Sequence, residues 1–239
     1  MNTWSDSAQT AWQLLVTADP MLTSIVGRSL GLSASATALA FVLGSVLGAW
    51  LAVSQFAGRG AVLALLNTLL SLPSVVVGLA VYLLLSRSGP LGYLGWLYSF
   101  KAMLIAQTLL VLPVVMALVR QVVEDANAAQ GEQLRSIGAS PRLTGLLLAW
   151  DERGALLTVA LAAFGRAVSE VGAVMLVGGN IEGFTRVMTT AIALETSKGD
   201  LPLAMGLGLV LLLVVLLLQW VLAVMRTWHM ATTASGRWA

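Results

Sequence analysis

The chain has 239 residues, 58% of them hydrophobic and only 10% charged. Soluble domains carry about 25% charged residues, so this is an all-α integral membrane protein with one membrane domain and no long polar region for a second. Cysteine is absent, and the single histidine, His229, reads as a solvated tail residue; disulfides, thiol catalysis and cysteine-ligated metals are excluded, and the net charge of +2 decides little by itself.

Residues 1–28 have no basic start, and the run between Asp6 and Asp19 is too short to span a membrane. Trp4, Trp12, Leu14, Leu15, Met21 and Ile25 give apolar surface, so these residues read as an amphipathic helix lying in the interface, broken at Asp19-Pro20. No charge stands between Arg28 and Arg59, and a first segment, Leu30 to Val53, is long enough for a hydrocarbon core of about 30 Å. Its Gly31, Gly44 and Gly48 predict close helix approach, with Gly44 and Gly48 as a small-xxx-small pair. The second segment, Ala61 to Ser86, contains Pro73, which predicts a kink or, more sharply, a break lining a pathway. The loop Arg87 to Lys101 carries Tyr93, Trp96 and Tyr98, suited to an interface, and the third segment is Ala102 to Val119, with Pro113 inside it.

The polar stretch 124–153 separates the third segment from the fourth. Ala126 to Ile137 is rich in good helix formers, and Gly138 is suited to the left-handed turn that closes a helix. Ser140 reads as the N-cap of a second helix with Pro141 at its first position. Two short helices around a tight turn make a compact knob that a partner can grip. The stretch resembles the cytoplasmic E-A-A-x-x-x-G loop of permease subunits of ATP-binding-cassette (ABC) importers: Glu132 and Gly138 stand at its spacing, followed by Ala139, Ser140 and Pro141. Gln133 and Leu134 replace the two alanines, and Ala149-Trp150-Asp151-Glu152 stands where the family has Leu-Pro. The resemblance implies that this loop docks in a cleft of an ATPase subunit.

The fourth segment, Gly154 to Val177, carries Arg166 and Glu170 one turn apart in an otherwise apolar span. Charges inside a membrane helix are costly unless paired or wet. Two readings stay open: a neutral pair that fixes packing, or a pair that lines or gates an anion pathway. Gly178, Gly179 and Asn180 then end the helix, Gly183 breaks the chain again, and Thr185, Thr189 and Thr190 offer hydroxyls. A short glycine-bounded helix fits this region better than a sixth span, either touching an oxyanion or closing an outer gate. A fifth segment, Leu201 to Met225, is nearly pure Leu, Val, Ala and Gly, a lipid-facing or packing helix, and 226–239 read as a cytoplasmic tail.

Phe164, Arg166-Ala167, Glu170, Gly172-Ala173, Gly179-Asn180-Ile181, Gly183 and Thr185 resemble the segment after the docking loop in molybdate, tungstate and sulfate importer permeases. The run Arg186 to Gly199 is more similar to tungstate permeases than to molybdate ones, and the whole resemblance covers about Glu124 to Gln219. It implies a type I, MetI-like permease fold of five transmembrane helices over 29–225. It also implies a homodimer in the inner membrane of a prokaryote, with an ABC ATPase below, an extracytoplasmic oxyanion-binding protein above and no nucleic acid. No cofactor is expected in this chain, ATP and Mg belonging to the ATPase. The chain has no G-x-x-x-x-G-K-[ST] loop, and neither Lys101 nor Lys198 sits in one, so no nucleotide chemistry is expected of it.

Five crossings with the 124–153 loop inside place Arg59, Arg120, Arg135, Arg142, Arg153, Arg226 and Arg237 in the cytoplasm, against Arg28, Arg87, Lys101, Arg186 and Lys198 outside. That follows the positive-inside rule, with the N-terminus outside and the C-terminus in the cytoplasm. The function read is an oxyanion permease, tungstate first, with molybdate or sulfate as alternatives. The competing class is a self-contained secondary anion transporter, although no internal repeat is visible and Glu170 is the one intramembrane carboxylate.

Overall fold

The computed structural model describes residues 12, 13, 16, 17 and 20–235, with side chains through 221 and at 223 and 224. From Pro20 on, the elements are α1 (Pro20–Val53), α2 (Arg59–Leu70), α3 (Ser74–Leu85), a single 3-10 turn (Gly92–Leu94), α4 (Phe100–Ser136), α5 (Pro141–Asp151), α6 (Arg153–Val168), α7 (Gly172–Gly178), α8 (Met188–Lys198) and α9 (Leu201–Ser235), with no strand among the described residues. The expected interfacial helix of residues 1–28 falls largely outside the described residues. What is described of it from Pro20 on is the first part of α1, which passes Arg28 without a break. The expected tail is described only as backbone, and as far as Ser235 it continues α9; the side chain of His229 lies outside the described residues.

Three helices, α1, α4 and the Leu201–Val221 part of α9, are long and apolar enough to cross a membrane. The pairs α2 with α3 and α6 with α7 pass the same test only as bent pairs, which allows up to five spans by length and composition. The second segment is therefore broken at Pro73, where a kink or a break is expected, and the fourth is interrupted where a continuous helix is expected. After Leu70 the N–H groups of Ser71 and Leu72 turn back onto the carbonyls of Thr68 and Leu69 at 3.1 and 3.4 Å. Pro73, extended at φ −61° and ψ 131°, then caps α3. With no N–H to give, Pro73 starts a new helix instead of kinking an old one.

The opposite difference occurs in α4. The expected short helix from Ala126 is the last part of this 37-residue element. Between Val119 and Ala126 the chain reads Arg120-Gln121-Val122-Val123-Glu124-Asp125, with neither glycine nor proline to stop it, and Gly131 further on is tolerated inside the helix.

The helices cluster into two compact units. One takes the described part of Met1–Ala36 with Pro73–Gln107 and Gly165–Leu218. Its core includes Leu32, Met103, Val174, Val177, Met188 and Leu207. Here α3 and α7 approach backbone to backbone: a Cβ on Gly78 would stand 2.6 Å from Ala173 Cα, and one on Gly172 would stand 2.8 Å from Val75 Cγ2. The other unit takes Thr37–Leu72, Thr108–Phe164 and the part of α9 from Gln219. In it the Gly44 and Gly48 pair does what its spacing predicts. A Cβ on Gly44 would meet Val115 Cγ1 at 2.8 Å, and one on Gly48 would meet the Met116 carbonyl oxygen at 2.7 Å. Gly31, expected to share that role, has open space where its side chain would be.

Candidate functional site

The knob forms by local chemistry. Gly138 takes the left-handed conformation at φ +84°. Its N–H donates to the Arg135 carbonyl and the Ala139 N–H donates to the Leu134 carbonyl, both at 3.0 Å. That crossed pair is a Schellman turn, which satisfies two of the carbonyls left over at the end of α4. Ser140 is extended at φ −69° and ψ 156°, its Oγ accepts the Leu143 N–H, and Pro141 opens α5. Glu132, Gly138, Ser140 and Pro141 are exposed and Ala139 is half-buried.

The next helix, α5, buries one face only. Thr144, Gly145 and Leu148 face inward, and a Cβ on Gly145 would lie 3.1 Å from the Ala49 carbonyl oxygen and 3.2 Å from Val53 Cγ2. The other face presents Leu143, Leu146, Leu147 and Trp150, and Ile137 stands out just before the turn; Trp150 and Ile137 are 73% and 79% exposed. Beside it lies a groove of about 220 Å³ between Val46, Leu47 and Trp50 of α1 and Arg142 and Leu146 of α5.

The second stretch builds a denser site. Arg166 Nη1 donates to Glu170 Oε2 at 2.8 Å, the i, i+4 pair the spacing predicts. The two partners differ in burial: the Glu170 side chain is 3% exposed, that of Arg166 41%. Between them the helix stops. Glu170 Oε1 accepts the Ala173 N–H at 3.2 Å at the start of α7, while the Glu170 carbonyl accepts the Thr189 hydroxyl at 2.7 Å. A carbonyl taken by a neighbour and a carboxylate that caps the next helix explain a break at 169–171, where neither glycine nor proline stands. Gln107, 2% exposed, lies beside it, with Nε2 donating to the Ala167 carbonyl and to Ser33 Oγ.

The remaining predicted residues hold the turn after α7. Gly179 and Asn180 are both left-handed, at φ +69° and +49°, and asparagine tolerates that region better than most non-glycine residues. Asn180 Nδ2 donates to the Thr190 carbonyl and its Oδ1 faces the Thr190 hydroxyl at 2.9 Å. Thr185 accepts the Ile181 N–H and donates to the Gly178 carbonyl. Thr190 also accepts the Val187 N–H. Thr185, Thr189 and Thr190 are buried, and their hydroxyls are spent on backbone groups and, for Thr190, on the Asn180 side chain as well. Below the turn, Tyr98 donates its N–H to the Val177 carbonyl at 2.9 Å and its ring lies against Gly179. Its hydroxyl bonds that of Tyr82, which raises its pKa.

Two constellations are not in the sequence-based site. In the first, Arg28 in α1 donates to the carbonyls of Gly183 at 2.9 Å and Arg186 at 3.1 Å, while buried Arg186 faces Glu182 and Glu195 at 3.5 and 3.7 Å. In the second, Glu124 in α4 joins Arg59 and Arg120 at 2.6 and 2.7 Å. In the sequence the four arginines serve as topology markers, and Glu124, Glu182 and Glu195 carry no assigned role. The local signals are two i, i+4 spacings, Arg120 with Glu124 and Glu182 with Arg186.

No family model matches the chain. Relatives do. The tungstate uptake system permease protein of Peptoclostridium acidaminophilum is 40% identical over 210 residues, 88% of this chain and 92% of that protein. That of Campylobacter jejuni is 38% identical over 216 residues, 90% of each chain. A probable anion ABC transporter permease protein of Haloferax volcanii is 40% identical over 200 residues, 82% of this chain and 86% of that one. Likeness of this extent runs through nearly the whole length of both partners and cannot rest on the docking loop alone. The chain is a multi-pass membrane protein and belongs to the family of ABC transporter permease proteins that includes those of tungstate uptake systems.

Proposed function

We propose that this chain is the membrane-spanning subunit of an ATP-driven importer for tungstate, working as a homodimer in the inner membrane with the type I, MetI-like arrangement. A separate ATPase holds ATP and Mg on the cytoplasmic side, and an extracytoplasmic binding protein delivers the anion. The N-terminus lies outside and the C-terminus in the cytoplasm. The observation that carries this reading is the one-sided burial of α5 behind its Schellman turn, with Ile137, Leu146 and Trp150 left facing outward on a chain whose relatives are ABC permeases. An apolar helix face outside the spans needs a cover, and a docking cleft supplies one.

ATP binding closes the ATPase pair and pulls on α5, which shifts the permease between inward- and outward-facing populations. The chain itself does no chemistry; its residues hold and pass the anion. Arg166 is the positive group on that path, anchored by buried Glu170 through one of its five N–H donors, which leaves the others for an oxyanion or its water. The turn at Gly179, Asn180 and Thr185, with Thr189 and Thr190, forms the outer gate. Tungstate comes from the names of two of the relatives and from the Arg186 to Gly199 run. The test is competitive uptake of tungstate, molybdate and sulfate by vesicles holding permease, ATPase and binding protein, read by elemental mass spectrometry. Tungstate should be taken up in preference; equal or greater molybdate or sulfate uptake would reassign the substrate.

A further inference from the structure

We propose that Glu124 is a positioning residue for energy coupling, the clasp that closes a ring of contacts behind the docking helix. This rests on the ATP-driven reading above. Four contacts make the ring, all within one compact unit. The Schellman turn at Gly138 joins α4 to α5. Through Gly145, α5 rests on Ala49 and Val53 at the end of α1. The same end of α1 is held by Arg59, whose Nε donates to the Leu51 carbonyl at 3.3 Å. Arg59 Nη2 then donates to Glu124 Oε1 at 2.6 Å, which returns the path to α4.

Each link has its own physical reason. The Leu51 carbonyl belongs to the last turn of α1, where carbonyls lack helical partners and a cation is favoured. Arg59 is also the first residue of α2, where its charge opposes the helix dipole, so the α2 side of the clasp needs a carboxylate. Glu124 supplies it and uses its other oxygen on Arg120 Nη1 at 2.7 Å. One carboxylate thus spends both oxygens on two guanidinium groups, with the three side chains only 23–31% exposed. An isolated surface ion pair has no such arrangement.

A ring transmits what an open chain of contacts does not. If α5 hung only from the Gly138 turn, a pull on it would be absorbed by rotation at that one residue. With the ring closed, α5, the end of α1, the start of α2 and α4 move as one body. Opening the ring at Glu124 leaves the docking face of α5 intact and lets the pull dissipate.

The chain contains no cysteine, so an introduced pair supplies the only thiols within the permease. The complete complex of permease, ATPase and binding protein, in proteoliposomes, is compared as wild type, Glu124→Gln and the double variant Arg59→Cys/Glu124→Cys before and after cross-linking with a short bismaleimide. The readout is tungstate transported per ATP hydrolysed, beside co-purification of the ATPase. Glu124→Gln and the open double variant should retain the ATPase at the wild-type level while tungstate per ATP falls about tenfold, within the range by which coupling mutations act. Cross-linking should return the double variant to within about threefold of wild type: Arg59→Cys also loses the Leu51 contact, but residues 54–58 still tie α2 to the end of α1 while the new covalent bond joins α2 to α4. Wild-type coupling in Glu124→Gln would overturn the proposal, as would loss of the ATPase from either variant, or a cross-linked form that stays uncoupled. Failure of the wild type itself to couple tungstate uptake to ATP would instead overturn the functional reading on which this one rests.

Discussion

Arg166 and Glu170 sit one turn apart and carry opposite charges, yet burial gives them different work. Glu170 is enclosed and serves Arg166, the Ala173 N–H and, through its carbonyl, Thr189. Glu170→Ala removes a buried acceptor and a cap, and should lower stability by about 1–3 kcal/mol. Thermal unfolding of the detergent-solubilised protein reads that loss. Adding Arg166→Ala should return part of it, since the arginine no longer lacks a partner, while the lost cap stays lost. Arg166 is 41% exposed, so Arg166→Ala alone should cost less than about 1 kcal/mol. On the pathway reading it should nevertheless abolish oxyanion uptake. Full uptake by Arg166→Ala would leave the pair with packing alone. The spacing of these two residues made their contact legible in the sequence. What the sequence did not carry was how Thr185, Thr189 and Thr190 spend their hydroxyls, because the backbone acceptors come from Gly178, Glu170 and Val187 in a turn whose path is set by tertiary packing.

At the scale of elements, local chemistry is legible in the sequence and helix continuity is less so. The Gly138 turn and the Ser140 cap depend on neighbours within a few residues, and both form as their residue types dictate. The break at Glu170 rests in part on Thr189, nineteen positions on, and no glycine or proline at 169–171 announces it. The unbroken run of α4 was obscured for another reason: polar residues after Val119 mark where a segment leaves the apolar layer, while saying nothing about where its helix stops. Substitutions test these elements separately. Gly138→Val forces a β-branched residue into the left-handed region, at about 1–2 kcal/mol or more, and should reduce co-purification of the ATPase while the permease still inserts. Gly138→Asn should retain most of it. Gly48→Leu drives a side chain into the Met116 carbonyl and should destabilise by about 1–3 kcal/mol, measured by thermal unfolding. Gly31→Ala meets open space within the chain and should be neutral or stabilising by up to about 1 kcal/mol. A loss of activity at Gly31 without loss of stability would mark that face of α1 as a contact with another subunit.

The whole molecule leaves much apolar surface for others to cover. Along Leu201–Val221 of α9 only Ala204, Gly206 and Leu207 are buried within the chain, and Leu212, Leu213, Leu216, Leu217 and Trp220 are exposed. Lipid and a second copy of the chain are the covers the proposed homodimer calls for. Composition established the membrane class, and the motifs of the docking loop and of Phe164 to Thr185 pointed to the family that the relatives establish. The direction of energy flow is the central claim, and tungstate uptake into sealed vesicles tests it most directly, with the ATPase present or omitted. Uptake should require ATP, the ATPase and the loaded binding protein together, and should fall about tenfold or more with Gly138→Val in the complete complex. Uptake at the same rate by vesicles holding the permease alone, driven by an ion gradient, would contradict the account and make the chain a secondary transporter.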